Sequence, residues 1–422
     1  MRFLEHFHHP EKYFRIFIKW SLLGLLMGFL GGLLGAGFSH TLRFVTDLRT
    51  SHPWILWFLP IGGLATIGLY RSFKMSGNRG ANEIIEAILR QKPVKPAVAP
   101  VIFLSTAVTH LVGGSAGREG AALQLGGSVA SMLAKGLRLK EEERTVLIMS
   151  GMSAVFAGLF GTPLTATFFT MEFESVGTIF SPALLPCYLA AFTASRIAAS
   201  FGVHAEVFPI ANTVPFTALT NFHILLLSVG ISLVGIAMCY LFHRADHLAH
   251  EKIPNTWGRI AAGGVLLVAM TLLVGDQRYN GAGMDMAMAA LGGQAHGYDF
   301  LLKLLFTAIT LAAGFKGGEI VPTFCIGATF GCFIGRLLGM DAGFAAALGL
   351  IGLFCSVTNS PISAMVLSVE MFGSANLSTF AFVCVIVFVL SGNWGLYSSQ
   401  IIRFSKARLV RKEHNENAEI KW

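Results

Sequence analysis

Two carboxylates sit where a carboxylate is expensive. Glu119 is framed by glycine as Gly117-Arg118-Glu119-Gly120 and runs at once into the apolar stretch Ala121-Ala-Leu-Gln-Leu-Gly126. Glu319 lies in Gly317-Gly-Glu-Ile-Val-Pro322, ahead of a second apolar stretch ending at Gly331. An ionisable group inside a bilayer marks an ion or proton path by default. Burial disfavours the charged form of Glu119, whereas N–H groups at a helix start favour it, so this side chain is expected to switch protonation state. Lys316, three residues before Glu319, offers a competing role for that carboxylate, a buried ion pair, although such a pair is costly without excellent geometry.

The elements that must position these groups are membrane helices. Hydrophobic residues make up 54% of the 422-residue chain and charged residues only 13%, about half the share that a water-facing globule carries. Apolar runs recur from about residue 15 to residue 392. Several approach the roughly 20 residues needed to span a bilayer, and others are short or broken by glycine. The fold class expected is an all-α integral membrane protein with tilted and discontinuous helices. The runs lack the two-residue alternation of a barrel. The first run, Ile16 to Phe38, is too long for a signal-peptide core and is read as a retained helix.

Basic residues flank both ends, Arg2, Lys12 and Arg15 on one side and Arg403, Lys406, Arg408, Arg411 and Lys412 on the other. The positive-inside tendency places both termini in the cytoplasm, and the net charge of +8 then needs no nucleic-acid partner. Six cysteines lie in or beside apolar runs without metal-ligand spacing, and no phosphate loop, zinc signature or nucleophile elbow occurs. The residues therefore indicate transport rather than enzyme catalysis, with no metal and no cofactor.

The chain also repeats itself. Gly161-Thr-Pro163 leads to Glu172 and Asn359-Ser-Pro361 leads to Glu370, nine residues from proline to glutamate each time. Each pair follows its half's Gly-Glu motif. The expected organisation is a cytoplasmic segment 1–14, a first transmembrane repeat 15–205, a second, inverted repeat 206–402, and a basic cytoplasmic tail 403–422. Inverted repeats place a binding site at the midplane, where half-helices point their N-termini inward. Free N–H groups at a helix start favour an anion, so the cargo expected is a small anion.

Gly117-Arg118-Glu119-Gly120-Ala121, Gly317-Gly318-Glu319-Ile320-Val321-Pro322, the Gly77-Asn78 turn and Leu396-Tyr397-Ser398, in this order, resemble the CLC family of anion channels and proton-coupled antiporters. The resemblance spans about residues 15–405. It implies a CLC-type inverted repeat and a homodimer with one pore per subunit; the tail after residue 405 is read as too short for a regulatory nucleotide-binding region. It also implies an anion site built from helix N-termini, the side chain at Asn78 and the phenol of Tyr397, with Glu119 as the gate shared by anion and proton. Backbone N–H groups near Ile320 and Val321 are further candidate anion contacts. Asn82 would replace Asn78 if the alignment slips by a few residues.

Departures from the chloride-transporting pattern narrow the resemblance. Asn78 replaces the usual serine, Ala121 the usual proline, and Ile320 the usual phenylalanine, while Phe173 stands where antiporters carry an inner proton-relay glutamate. This set resembles the bacterial fluoride/proton antiporters. The implied function is export of fluoride in exchange for protons across the cytoplasmic membrane, with Glu319 serving proton coupling in place of the missing relay. A chloride/proton antiporter or a passive anion channel of the same fold is the alternative. Glu172 and Glu370 are expected to be structural or vestibule carboxylates, Arg118 a structural or field-setting cation, and His110 a packed or hydrogen-bonded histidine.

Overall fold

Glycine and proline set the helix ends, and they do so at matching places in the two halves of the chain. In the computed structural model, which describes residues 10–75, 79–205, 207–208, 210 and 217–406, the first half forms α1 (Pro10–Ser51), α2 (Leu59–Ser72), α3 (Ala81–Leu89), α4 (Val98–Val112), α5 (Glu119–Gly136), α6 (Glu141–Phe160), α7 (Pro163–Glu172) and α8 (Leu184–Ser200). The second half forms α9 (Ala218–Lys252), α10 (Thr256–Val274), α11 (Met284–Leu291), α12 (Asp299–Ala313), α13 (Ile320–Leu337), α14 (Ala342–Thr358), α15 (Pro361–Phe372) and α16 (Leu377–Leu390). The order of long, short and buried helices is the same in both. α4 and α12 end on left-handed Gly113 and Gly314, α6 and α14 on left-handed Gly161 and Asn359, and α7 and α15 each begin with proline. A left-handed residue closes a helix, and proline is tolerated in its first turn.

Helix lengths are uneven, as the interrupted apolar runs predict. α1 has 42 residues, a rise of about 63 Å at ~1.5 Å per residue, so it must tilt or project beyond a hydrocarbon core of about 30 Å. Seven helical stretches among the described residues are long and apolar enough to cross a membrane, and the shorter α3, α7, α11 and α15 reach only part of the way. Large apolar side chains such as Phe29, Leu33, Leu233, Leu273 and Val385 remain exposed on the outer helices. Lipid, rather than water, suits that surface.

α5, α6, α13 and α14 form the buried centre, and glycine permits their close approach. A Cβ placed on Gly126 of α5 would lie 2.1 Å from the carbonyl oxygen of Gly151 in α6, and one on Gly327 of α13 would lie 2.4 Å from that of Gly349 in α14. Each half thus makes the same small-residue crossing, the means by which membrane helices gain packing contacts. The chain near its C-terminus returns to the first half through a parallel pair, β1 (Ser175–Val176) with β2 (Ile401–Ile402). Gln400 adds bonds from its side-chain N–H groups to the carbonyls of Phe173 and Thr358.

Candidate anion and proton site

The loops that open α5 and α13 meet at the centre. The Gly117 amide donates to the Gly318 carbonyl at 2.6 Å and the Gly318 amide donates to the Gly117 carbonyl at 2.9 Å, a lone antiparallel bridge. Arg118 and Glu319 are the respective N-caps, and neither makes a side-chain cap bond. Both helix starts therefore keep amides available for another acceptor. Sequence similarity aligned the two Gly-Glu motifs, but the fold sets them one residue apart: Glu119 is the first helical residue of α5, whereas its counterpart in α13 is Ile320.

Glu119 is fully buried and folds back into this crossing. A Cβ on Gly117 would come within 2.4 Å of its Oε2, and one on Gly318 within 2.6 Å. Only glycine on both sides admits the carboxylate. Oε2 accepts the Arg118 amide at 3.1 Å, and the Val321 amide also faces the group. Oε1 is buried with no hydrogen-bond partner among the described residues. Leaving a buried acceptor unsatisfied costs on the order of 1–3 kcal/mol, which a purely structural cap would not tolerate.

Glu319 is half-buried at the start of α13, and the carboxylates of Glu119 and Glu319 act on each other electrostatically. Among the described residues Lys316 and Glu319 make no direct ion pair and act on each other only at a distance; Lys316 Nζ lies 4.8 Å from the centre of the Tyr70 ring. Ile320 and Val321 are buried in the first turn of α13. Tyr397 is 5% exposed, its hydroxyl is buried without a partner among the described residues, and both glutamates act on it. Phe173 packs edge-on against the Tyr397 ring, centroids 4.8 Å apart, so an apolar ring and not a carboxylate adjoins the phenol.

Asn78 lies outside the described residues. Asn82 has a different use from the one considered: its Oδ1 accepts the Ser399 amide at 2.9 Å, and Ser399 Oγ donates to Glu86 at 3.0 Å. These bonds tie the Tyr397 segment to α3. Gly80, with φ +65°, caps α3 beside Gln124 of α5.

Glu172 and Glu370 stand apart from the crossing. Glu172 accepts the amides of Ile362 and Ser363 at the start of α15, and Glu370 accepts those of Leu164 and Thr165 at the start of α7. Arg118 stacks on Phe160, 4.9 Å from the ring centre. Two buried polar residues escaped the sequence reading. Gln124 donates to the Gly120 carbonyl at 2.9 Å and keeps a buried Oε1 without a partner among the described residues. Lys303, fully buried in α12, donates to Ser115 Oγ and to the carbonyls of Tyr279 and Gly281, bracing the loop before Glu119. A cation between Leu302 and Leu304 is the same signal that singled out Glu119.

Residues 62–391 match the family described as voltage gated chloride channel. The chain is 31% identical to the chloride/fluoride channel protein of Pseudomonas syringae pv. tomato, over 99% of this chain and 94% of that protein. It is 24% identical to the H(+)/Cl(-) exchange transporter of Yersinia pestis, over 83% of this chain and 79% of that one. Among solved structures, a CLC-type fluoride/proton antiporter superposes with a TM-score of 0.89 at 34% identity, covering 92% of this chain and 99% of its own. The inverted helical halves, the buried crossing and these similarities agree: this chain is a multi-pass integral membrane protein of the CLC family of chloride and fluoride channels and antiporters.

Proposed function

We propose that this protein is a proton-coupled antiporter that exports fluoride in exchange for protons. The observation that carries the reading is the seat of Glu119. A carboxylate wholly removed from water lies between two helix starts with one oxygen unpartnered. Deprotonated, it occupies a place suited to an anion; protonated, it has no hold there and vacates it. Anion and proton then use one seat in turn.

Fluoride is small and tightly hydrated, so its site must replace water with close, strong donors. Those proposed are the amides of Ile320 and Val321, the Tyr397 hydroxyl and the Asn78 side chain, and selectivity follows from donor number and spacing rather than charge alone. Glu319 is the proposed partner in proton coupling, being electrostatically linked to Glu119, while Lys316 acts on it only at a distance. The choice of fluoride is supported by the solved fluoride/proton antiporter at 34% identity and by Phe173 in the relay position. A homodimer in the cytoplasmic membrane, with both termini cytoplasmic, completes the proposal.

Purified protein in proteoliposomes tests it. An outward fluoride gradient should drive protons inward, and ion-selective electrodes should record fluoride flux well above chloride flux. Fluoride flux without proton movement would make the protein a passive channel, and equal or greater chloride flux would remove the fluoride assignment.

A further inference from the structure

α1, the end of α4 and the segment leading into α11 line an open-sided cavity of about 170 Å³, with Arg43, Asp47, His110, Arg118, Met284 and Val321 in its wall. It borders the central crossing twice, because Arg118 precedes Glu119 and Val321 belongs to the first turn of α13. Its wall is mainly apolar with a few charged and polar groups set into it, and a cavity of this size has room for a small anion with part of its water shell.

His110 is the unexplained group in its wall. The ring is 4% exposed. Its Nδ1 lies 2.9 Å from the Thr106 carbonyl, and a carbonyl only accepts, so Nδ1 carries the hydrogen in the neutral ring. Nε2 is then a bare acceptor, buried and without a partner among the described residues. A packed histidine would satisfy both nitrogens.

The surroundings say what would satisfy it. Arg118, Arg49 and Lys303 bring positive charge around the ring, and Arg43 adds another cation against the single carboxylate of Asp47 on the cavity wall. Glu119 follows Arg118, and Asp285 acts on Arg49. α2, also packed on α4, contributes Tyr70 and, at its far end, the exposed Arg71. An anion in the cavity offsets this positive field and thereby favours a proton on Nε2, while a proton on Nε2 supplies the anion with an N–H donor. Coupling of this kind is reciprocal.

We infer that this cavity is a subsite for a small anion, in which His110 takes up a proton at Nε2 together with the anion. The proton comes from a hydronium ion that enters the cavity with the anion: the new N–H bond forms, a water molecule is released, and the N–H then donates to the anion. The inference rests on the reading of a small anion as cargo. It is independent of Glu119, which is a second place of proton uptake.

The test therefore uses the full chain carrying Glu119→Gln, in which the central carboxylate no longer titrates. Sodium fluoride, and separately sodium chloride, is titrated calorimetrically in two buffers of different ionisation enthalpy, which counts protons taken up per anion bound. Net uptake is expected, with affinity rising as pH falls, by up to about tenfold per pH unit when one proton is linked. In Glu119→Gln/His110→Asn, whose amide replaces the Nδ1–H bond to Thr106, the uptake and the pH dependence should drop by the share that His110 carries, Glu319 being the same in both proteins. His110→Gln, which places an amide nearer the position of Nε2, should behave alike and guards against one poorly folded variant.

Uptake that is the same with and without His110, or no uptake in Glu119→Gln itself, would overturn the inference, as would failure of both anions to bind. Loss of proton-coupled flux in the wild-type proteoliposomes would sink the antiporter reading while leaving this titration intact.

Discussion

Glu172 and Glu370 are reciprocal: each carboxylate, near the end of its own short helix, accepts the first free N–H groups of the helix that carries the other. The exchange is possible only because α7 and α15 run in opposite directions. Neither helix has a side-chain cap of its own, so the inverted repeat supplies the caps across its own symmetry. Carboxylates suit this place, since the N–H groups and the helix dipole both favour negative charge.

Glutamine at either position offers one acceptor oxygen and turns an NH2 group towards backbone donors. Glu172 is 5% exposed and accepts two amides and the Ser363 hydroxyl; Glu370 is half-buried and accepts two amides. Glu172→Gln should therefore destabilise more, by about 1–3 kcal/mol, and Glu370→Gln less. Thermal unfolding in detergent checks the order. Equal wild-type midpoints in both variants would show that the caps contribute nothing.

The glycines around Glu119 make a sharper test, because geometry rather than polarity sets the outcome. A methyl group on Gly318 would stand 2.6 Å from Glu119 Oε2 and 2.7 Å from the Gly120 amide. In Gly318→Ala the carboxylate has to leave the crossing. Fluoride flux should then persist with proton coupling reduced, or both should fall if the crossing itself opens. Wild-type coupling would mean that the seat is not where the carboxylate acts.

Much of this architecture was legible in the sequence, and the reason is local. Helix breaks at Gly161, Pro163 and Pro361 follow from backbone preferences of single residues, and a carboxylate in an apolar run needs no tertiary information to stand out. What remained hidden depends on contacts between distant segments. The similarity of the Gly-Glu motifs concealed a one-residue offset that the Gly117–Gly318 bridge fixes. Lys316 looked like a partner for Glu319 until Tyr70, brought from α2, took its place. Asn82 passes for an anion contact in sequence because nothing local reveals Ser399 as its partner. Lys303 is different: the rule that found Glu119 applies to it equally, and it was overlooked.

The position of Lys316 separates two accounts of Glu319. If the pair were structural, removing either charge would strand the other, with similar loss of stability. With Lys316 on Tyr70, Lys316→Met should cost about 0.5–2 kcal/mol of stability, the range for a cation–π contact, and leave proton coupling intact. Glu319→Gln should keep the fold and slow coupled exchange. Thermal unfolding and proteoliposome flux on the same preparations decide between them, and matched losses in both variants would restore the structural pair.

Glu119→Gln addresses the central proposal directly. The amide is close in shape to the protonated carboxyl and cannot release a proton, so under the proposed mechanism it is held in the state that vacates the seat. Burial makes the difference large: the charged form draws on the Arg118 and Val321 amides, whereas a neutral amide has much less claim on them. Anion movement should continue with proton movement abolished, and the flux should lose whatever pH dependence Glu119 confers. The measurement is simultaneous recording of fluoride and protons in proteoliposomes. Coupled exchange at the wild-type rate would remove Glu119 from the proton path and leave Glu319 as the carboxylate to test next.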